Sequence, residues 1–196
     1  MSEATTNQAR VPLIERDAVA PEAIALFDKL LADRGCVPNM FKALANVPGL
    51  ALGIAALIKP LMGEGAVAGW YKELIAMRVA SLNQCGYCIS AHRSLAVQRG
   101  ATPEQVASLG ETSADTFETG PFTEKEKAGL RYAGLLHISG HAIDDEVFHV
   151  VSAHFDAEEL IELTAVAAAF EFFSRINSAL RIPVTPLPGA PLPGQA

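Results

Sequence analysis

Two cysteines and a histidine lie close together near the middle of the chain. Cys85 and Cys88 are three positions apart, and His92 follows Cys88 by four positions. On an α-helix these offsets place the three side chains on one face. A thiol pair with this spacing can cycle between a dithiol and a disulfide, and it can also bind a metal ion.

The cysteine pair stands at the predicted start of a helix, after Asn83 and Gln84 interrupt a long helical segment. The unpaired backbone N–H groups and the positive end of the helix dipole favour a thiolate at such a position. His92, one turn after Cys88, can accept or deliver a proton. Glu73 can orient that imidazole or relay its proton, provided that its helix packs antiparallel to the helix of His92.

A zinc site is the second interpretation of the same residues. Cys-x2-Cys-x3-His offers three ligands, and His137, His141 or Cys36 would have to supply the fourth. Structural zinc sites usually take their ligands from two separated pairs, and the sequence shows no second pair. Redox chemistry is therefore the preferred hypothesis, and metal analysis of the purified protein distinguishes the two.

The elements that must position these residues are helices separated by caps and turns, and no segment has the alternation of a strand. Asn39, Thr102, Thr123, Asp144 and Asp156 are predicted to cap helices. We predict helices at about residues 21–33, 39–45, 48–62, 67–82, 85–100, from 102, 123–139, 144–154 and 156–180. This pattern predicts an all-α, multihelical fold.

We predict one helical domain over residues 1–181, followed by a proline-rich tail over 182–196. The tail holds five of the twelve prolines and cannot continue a helix. It is expected either to be disordered or to form an extended arm on a neighbouring subunit.

One weak internal repeat raises the alternative that the domain consists of two related helical halves. The residues that recur at a constant offset are Glu73, Leu74, Ala76 and Ala80, matched by Glu162, Leu163, Ala165 and Ala169. Two alanine-rich helices can match in this way by chance, so the duplication stays open. In the second copy Ser174 and Asn177 stand where Cys85 and Cys88 stand in the first.

Composition and charge exclude several classes of partner. The net charge is −7 with no cluster of lysine and arginine, which argues against binding to nucleic acid. The longest uncharged apolar stretch, residues 43–58, is shorter than the roughly 20 residues that cross a bilayer. The N-terminus has no apolar segment typical of a secretory signal, and three cysteines are too few for a disulfide framework. We expect a cytoplasmic protein that binds no membrane.

The spacing Glu-x11-Cys-x2-Cys-x3-His, formed by Glu73, Cys85, Cys88 and His92, resembles the signature of the AhpD-like alkylhydroperoxidases. These enzymes belong to the carboxymuconolactone decarboxylase superfamily. The four-residue signature is much more specific than Cys-x-x-Cys alone.

The surrounding sequence is similar to the "peroxidase-related" branch of that superfamily. The shared features are the chain length, a Gly-x-Val-Pro-Asn segment at residues 35–39, and Tyr87 before the second cysteine. The resemblance is strongest over residues 70–100 and looser over 37–180. It implies an AhpD-like all-α fold and a homo-oligomer, commonly a trimer or hexamer.

The resemblance also implies thiol-dependent reduction of hydroperoxides without haem, flavin or metal. Cys88 would attack the peroxide and become a sulfenic acid, and Cys85 would resolve it to a disulfide. Glu73 and His92 would form the proton relay. Tyr87 departs from the best-studied members, which have a relay histidine there; its hydroxyl would hold a water or donate a hydrogen bond at the pocket wall.

The expected partners are a hydroperoxide substrate and a thiol or protein disulfide that restores the dithiol. Two alternative functions remain open on the sequence. A lactone decarboxylase of the same superfamily would not need Cys85 or Cys88. A non-enzymatic disulfide-relay or redox-sensing protein would use both cysteines, but would exchange them with another protein.

Overall fold

The computed structural model describes residues 8–109 and 116–186, and over these it contains helices and no β-strand. The all-α prediction is confirmed. Short 3-10 turns at Pro21–Ala23, Thr116–Thr119 and Gly140–Ala142 connect the elements. The α-helices are α1 (Ile24–Arg34), α2 (Asn39–Leu44), α3 (Pro48–Met62), α4 (Gly69–Leu82), α5 (Gly86–Arg99), α6 (Pro103–Ser108), α7 (Glu124–Ile138), α8 (Asp145–Ser152) and α9 (Ala157–Ala179). Apart from the start of α1, the helix ends lie within two residues of their predicted positions.

Polar side chains cap the later helices, because the first N–H groups of a helix have no partner within it. The caps predicted at Thr102, Thr123, Asp144 and Asp156 are confirmed. At the start of α6, Thr102 Oγ1 accepts the N–H of Gln105 at 3.2 Å, and Gln105 Oε1 accepts the N–H of Thr102 at 3.0 Å. Such reciprocal pairs satisfy two backbone donors at once.

The cap predicted at Asn39 is wrong. Pro38 occupies the N-cap position and Asn39 is the first residue of α2. The backbone N–H of Asn39 donates to Thr185 Oγ1 at 2.9 Å, and its side-chain amide donates to the carbonyl of Pro183 at 3.0 Å. The first tail residues therefore contact the start of α2 of their own chain. Residues 187–196 of the predicted tail are outside the described part.

The chain forms two compact units, and the predicted single domain over 1–181 stays a prediction. Of the described residues, the first unit contains 8–59 and 177–186. Its N-terminal segment follows α2, where the Ile14 N–H donates to the Lys42 carbonyl at 3.0 Å.

The second unit, residues 60–176, is organised around α4. Every residue of α4 from Tyr71 to Ser81 is buried, and the helix packs against both α5 and α7. A helix that is buried on all sides holds its polar groups in place, because each needs a partner within the protein. Glu73 lies on this helix. In the described residues no helix is long and apolar enough to cross a bilayer.

Candidate active site

Helices α4 and α5 form an antiparallel hairpin with a short connection through Asn83, Gln84 and Cys85. The N–H of Cys85 donates to the Ala80 carbonyl at 2.8 Å, and the N–H of Gln84 donates to the Ser81 carbonyl at 3.0 Å. This bonding is a Schellman motif, which requires a left-handed residue at Gln84, where φ is 52°. The turn brings Cys85 to the start of α5.

The two cysteines form a buried dithiol at the N-terminus of α5. Cys85 is the N-cap residue, and its Sγ accepts the N–H of Cys88 at 3.4 Å. The two Sγ atoms are 3.0 Å apart, so they are in contact but not bonded. Each cysteine is 2% exposed. The predicted position at a helix start is confirmed, and it places both sulfurs where the helix dipole favours negative charge.

A serine from a distant part of the unit contacts the second cysteine. The fully buried Ser174, on α9, donates its hydroxyl to Cys88 Sγ at 3.7 Å. A hydroxyl donor stabilises a thiolate more than a thiol. The half-buried Tyr87 packs against the apolar cluster that contains both cysteines, together with Ala80 and Ile89.

Glu73 and His92 form a hydrogen-bonded pair across the hairpin, through Glu73 Oε2 and His92 Nδ1. Glu73 is 1% exposed, and its second oxygen lies 3.2 Å from Arg99 Nη1. Arg99 Nη1 also donates to the Met62 carbonyl at 2.6 Å. A buried carboxylate is costly unless it is paired, and two partners here satisfy both of its oxygens. The imidazole of His92 rests edge-on against Phe170, with ring centroids 4.6 Å apart.

The structure brings the sequence-predicted residues Glu73, Cys85, Cys88 and His92 together on one hairpin, with Tyr87 beside the dithiol. The antiparallel packing that the Glu73–His92 pair required is present.

Sequence reasoning missed three contributors to this site. Arg99 follows His92 by seven positions, so it lies on the same face of α5, and that spacing was a usable signal. Phe170 and Ser174 are four positions apart on α9, facing His92 and Cys88. The internal repeat drew attention to Ser174, but gave no indication that it contacts Cys88.

The structure places the three residues considered as a fourth zinc ligand in environments other than the dithiol site. His137 Nδ1 lies 2.7 Å from Glu171 Oε1, His141 is exposed, and Cys36 belongs to the first unit. Over residues 8–109 and 116–186, no three His, Cys, Asp or Glu side chains gather in an arrangement that could hold a metal ion.

Residues 48–133, which contain the whole α4–α5 hairpin, match the sequence profile of the carboxymuconolactone decarboxylase family. The chain is therefore similar to this family over the segment that carries the dithiol and the Glu73–His92 pair. The Escherichia coli (strain K12) protein YnjA is 28% identical over 112 residues, which are 57% of this chain and 59% of YnjA. The alignment thus spans less than two thirds of YnjA.

Solved structures share the fold over nearly the whole chain. A peroxidase-related protein from Ralstonia eutropha JMP134 with an alkylhydroperoxidase AhpD core is 21% identical, with a TM-score of 0.82 over 90% of this chain and 92% of that one. The debrominase Bmp8, solved with 2,3,4-tribromopyrrole as a cysteine-to-alanine variant, is 25% identical, with a TM-score of 0.75 over 91% and 92%. The chain therefore has an AhpD-like fold.

Proposed function

We propose that this protein is a member of the carboxymuconolactone decarboxylase superfamily that reduces hydroperoxides through a Cys85–Cys88 dithiol–disulfide cycle. The observation that supports the proposal is the contact of the two sulfurs, 3.0 Å apart at the start of α5, on the same hairpin as the buried Glu73–His92 pair. Such a pair needs little movement to form a disulfide, and it stands next to a proton donor and acceptor.

In the first step the Cys88 thiolate attacks the terminal oxygen of a hydroperoxide, ROOH. An S–O bond forms and the O–O bond breaks, so that Cys88 becomes a sulfenic acid and the alkoxide leaves. The imidazolium of His92 gives the alkoxide its proton, and the product is the alcohol ROH. Because Nδ1 of His92 is paired with Glu73, Nε2 is the nitrogen assigned to this transfer.

In the second step the Cys85 thiolate attacks the sulfur of the sulfenic acid. The S–S bond forms, the S–O bond breaks, and hydroxide leaves and is protonated to water. An external thiol or dithiol then reduces the disulfide by exchange, supplying two electrons and two protons. The net reaction consumes ROOH and two thiol groups, and yields ROH, water and one disulfide.

Three further side chains support this chemistry. Arg99 holds the second oxygen of Glu73 and thereby keeps the carboxylate in position to orient His92. Ser174 donates to the sulfur that is proposed to attack. Tyr87 packs against the cluster that contains the dithiol, and we assign its hydroxyl the part that a relay histidine plays in the best-studied AhpD-like members.

The test compares the two cysteines one at a time. After reduction, wild type is expected to consume an organic hydroperoxide and to gain a Cys85–Cys88 disulfide, detected by mass spectrometry of the peptide. C88S should lose turnover, whereas C85S should react once and leave a sulfenic acid that dimedone traps at Cys88. C36S is the matched control and should keep full turnover. Full turnover in C88S would show that the assignment is wrong.

A second candidate is reductive dehalogenation, motivated by the 25% identity to the debrominase Bmp8. A dithiol balances this reaction as well: a C–Br bond is replaced by C–H, bromide leaves, and the two thiols become a disulfide. Bromide release from a bromopyrrole, measured in the same preparation as peroxide consumption, separates the two candidates. Turnover of a muconolactone by the C85S/C88S double variant would instead support the decarboxylase alternative.

A further inference from the structure

Helix α9 presents an unusual face to solvent. From residue 158 to residue 175, all within the described part, six positions are exposed and the other twelve are buried or half-buried. These six form the α9 stripe: Glu158, Ile161, Ala165, Ala168, Phe172 and Arg175. Their spacing alternates between three and four residues, so they lie in one row along the helix.

The α9 stripe is apolar where a solvent-facing helix face is normally polar. Ile161 is 72% exposed and Phe172 is 46% exposed, with two alanines between them. The opposite face of α9 is also apolar, since Leu163 and Phe170 are buried in the second unit. A helix that is apolar on both faces is typical of one that is covered on both.

The α9 stripe is symmetric about its centre in the size of its side chains, and its two ends carry opposite charges. Counting outward from its centre, Ala165 mirrors Ala168, Ile161 mirrors Phe172, and Glu158 mirrors Arg175. Two such helices laid antiparallel would therefore match small with small, large apolar with large apolar, and acid with base. We propose that a second copy of this chain covers the α9 stripe, through antiparallel α9–α9 packing about a two-fold axis between Ala165 and Ala168.

The end charges determine the direction of packing. In the antiparallel arrangement Glu158 faces the partner's Arg175, and each dimer has two such pairs. A parallel arrangement would place Glu158 opposite the partner's Glu158 and Arg175 opposite the partner's Arg175, which repels at both ends. Arg175 can reach across, because its side chain is 70% exposed although one nitrogen lies 3.1 Å from Glu171 Oε2.

The spacing of the α9 stripe determines the closeness of packing. A three–four alternation is the seam of a left-handed helix pair with a crossing angle of about 20°. The two central alanines allow the helices to approach closely, and Ile161 then packs against the partner's Phe172 on either side. The seam is about 25 Å long at the α-helical rise, and because the same surface is used by both copies, the contact closes as a dimer.

The proposed dimer contributes no residue to the dithiol site, and it does not depend on the proposed peroxidase function. It acts on the site only through the helix, since the other face of α9 holds Ser174 against Cys88. Larger assemblies are compatible with it only if they contain an even number of copies.

The test is a charge-swap mixing experiment. E158R and R175E each place like charges at both ends of the seam, so each variant alone should raise the dissociation constant of the dimer about tenfold or more. An equimolar mixture of the two forms a heterodimer with opposite charges at both ends, and it should recover wild-type association. Recovery on mixing also shows that both variants are folded. Sedimentation equilibrium measures the masses against the 20.7 kDa chain.

A168E tests the centre of the seam, and E146R is the control for the charge change. A168E places a charge at the centre of the seam and should halve the assembly mass, with far-ultraviolet circular dichroism unchanged. E146R makes the same charge change as E158R at an exposed position of α8 and should not alter the mass. A monomeric wild type, an odd number of copies, or A168E at full mass would overturn the proposal.

Discussion

At the scale of single residues, the contacts of Cys88 determine how stable its thiolate is. Its sulfur lies 3.0 Å from Cys85 Sγ and receives the hydroxyl of Ser174 at 3.7 Å, in surroundings that are almost completely excluded from water. An anion in such a place depends on each hydrogen-bond donor, because solvent cannot replace a lost one. Ser174 is therefore a positioning residue whose effect should be measurable on the thiolate itself.

We expect S174A, made in the C85S background, to shift the pH profile of Cys88 alkylation upward and to slow sulfenic acid formation about fivefold. The reason is that a hydrogen bond to a charged group contributes about 1 kcal/mol when it is as long as this one. Alkylation with iodoacetamide is followed by mass spectrometry of the Cys88 peptide across pH. S152A removes a surface serine hydroxyl and is the control. If S174A changes only the unfolding free energy and leaves the pH profile in place, Ser174 acts by packing alone.

At the scale of elements, the turn that delivers Cys85 contains a strained residue. Gln84 has φ = 52° and Arg181, at the end of α9, has φ = 51°. Both occupy the left-handed position of a Schellman motif, where glycine has no steric cost. The ends of α1 and α5 use Gly35 and Gly100 in this position.

Q84G and R181G should therefore each raise the free energy of unfolding by about 0.5–1 kcal/mol, because the steric relief exceeds the entropy that glycine adds to the unfolded chain. Urea denaturation with a constant m-value measures the change. N83G is the neighbouring control. Its φ of −80° needs no glycine, and the variant loses the amide contact to Glu171 at 2.9 Å, so its stability should fall. A Q84G variant less stable than wild type would contradict this account of the turn.

At the scale of the whole second unit, one buried ion pair joins three segments. Lys72 of α4 is fully buried, and its Nζ lies 2.9 Å from Glu162 of α9 and 3.0 Å from the Gly63 carbonyl. Glu162 Oε2 also accepts the N–H of Val67 at 2.9 Å. The absence of a side chain at Gly65 leaves room for this carboxylate, since a Cβ there would lie 2.0 Å from Glu162 Oε1 and would displace it. The pair thus links residues 63–67, which precede α4, to α9.

Burial by itself raises the pKa of Glu162, but the hydrogen bonds from Lys72 and Val67 and the charge of Lys72 outweigh it, so the pKa is held below its usual value of 4.5. A carboxyl group with a lowered pKa stabilises the folded state above the unfolded-state value. That contribution is lost as the pH falls through the folded-state value.

E162Q should consequently lower the free energy of unfolding by about 2–3 kcal/mol at neutral pH. This is less than the loss expected for a fully buried pair, because Glu162 is partly exposed and because Lys72 still donates a hydrogen bond to the Gly63 carbonyl in the variant. The gap between variant and wild type should close as the pH falls below about 4.5. Urea denaturation at several pH values measures this difference in unfolding free energy. E146Q, at an exposed site, is the control. A gap that is independent of pH would show that the charge of Glu162 does not stabilise the fold.

Much of the fold and of the candidate site was predictable because the signals are local. Thr102 and Thr123 each form a capping box with the residue three positions later, so a segment of four residues is enough to predict the cap. Cys85, Cys88 and His92 share a helix face by spacing alone. The cap at Asn39 failed for the opposite reason: its side-chain amide donates to the carbonyl of Pro183, 144 positions away, instead of bonding the first turn of α2.

The sequence by itself determined the helices, the turn between α4 and α5, and the residue types of the dithiol hairpin, because helical periodicity and capping act over a few residues. Only the tertiary structure decided what surrounds that hairpin. It brought Ser174 to Cys88, Phe170 to His92 and a second partner to Glu73, and it left the α9 stripe uncovered. These contacts join residues far apart in the chain, and their partners are selected by packing and by the need to pair buried charge, which spacing along one sequence does not encode.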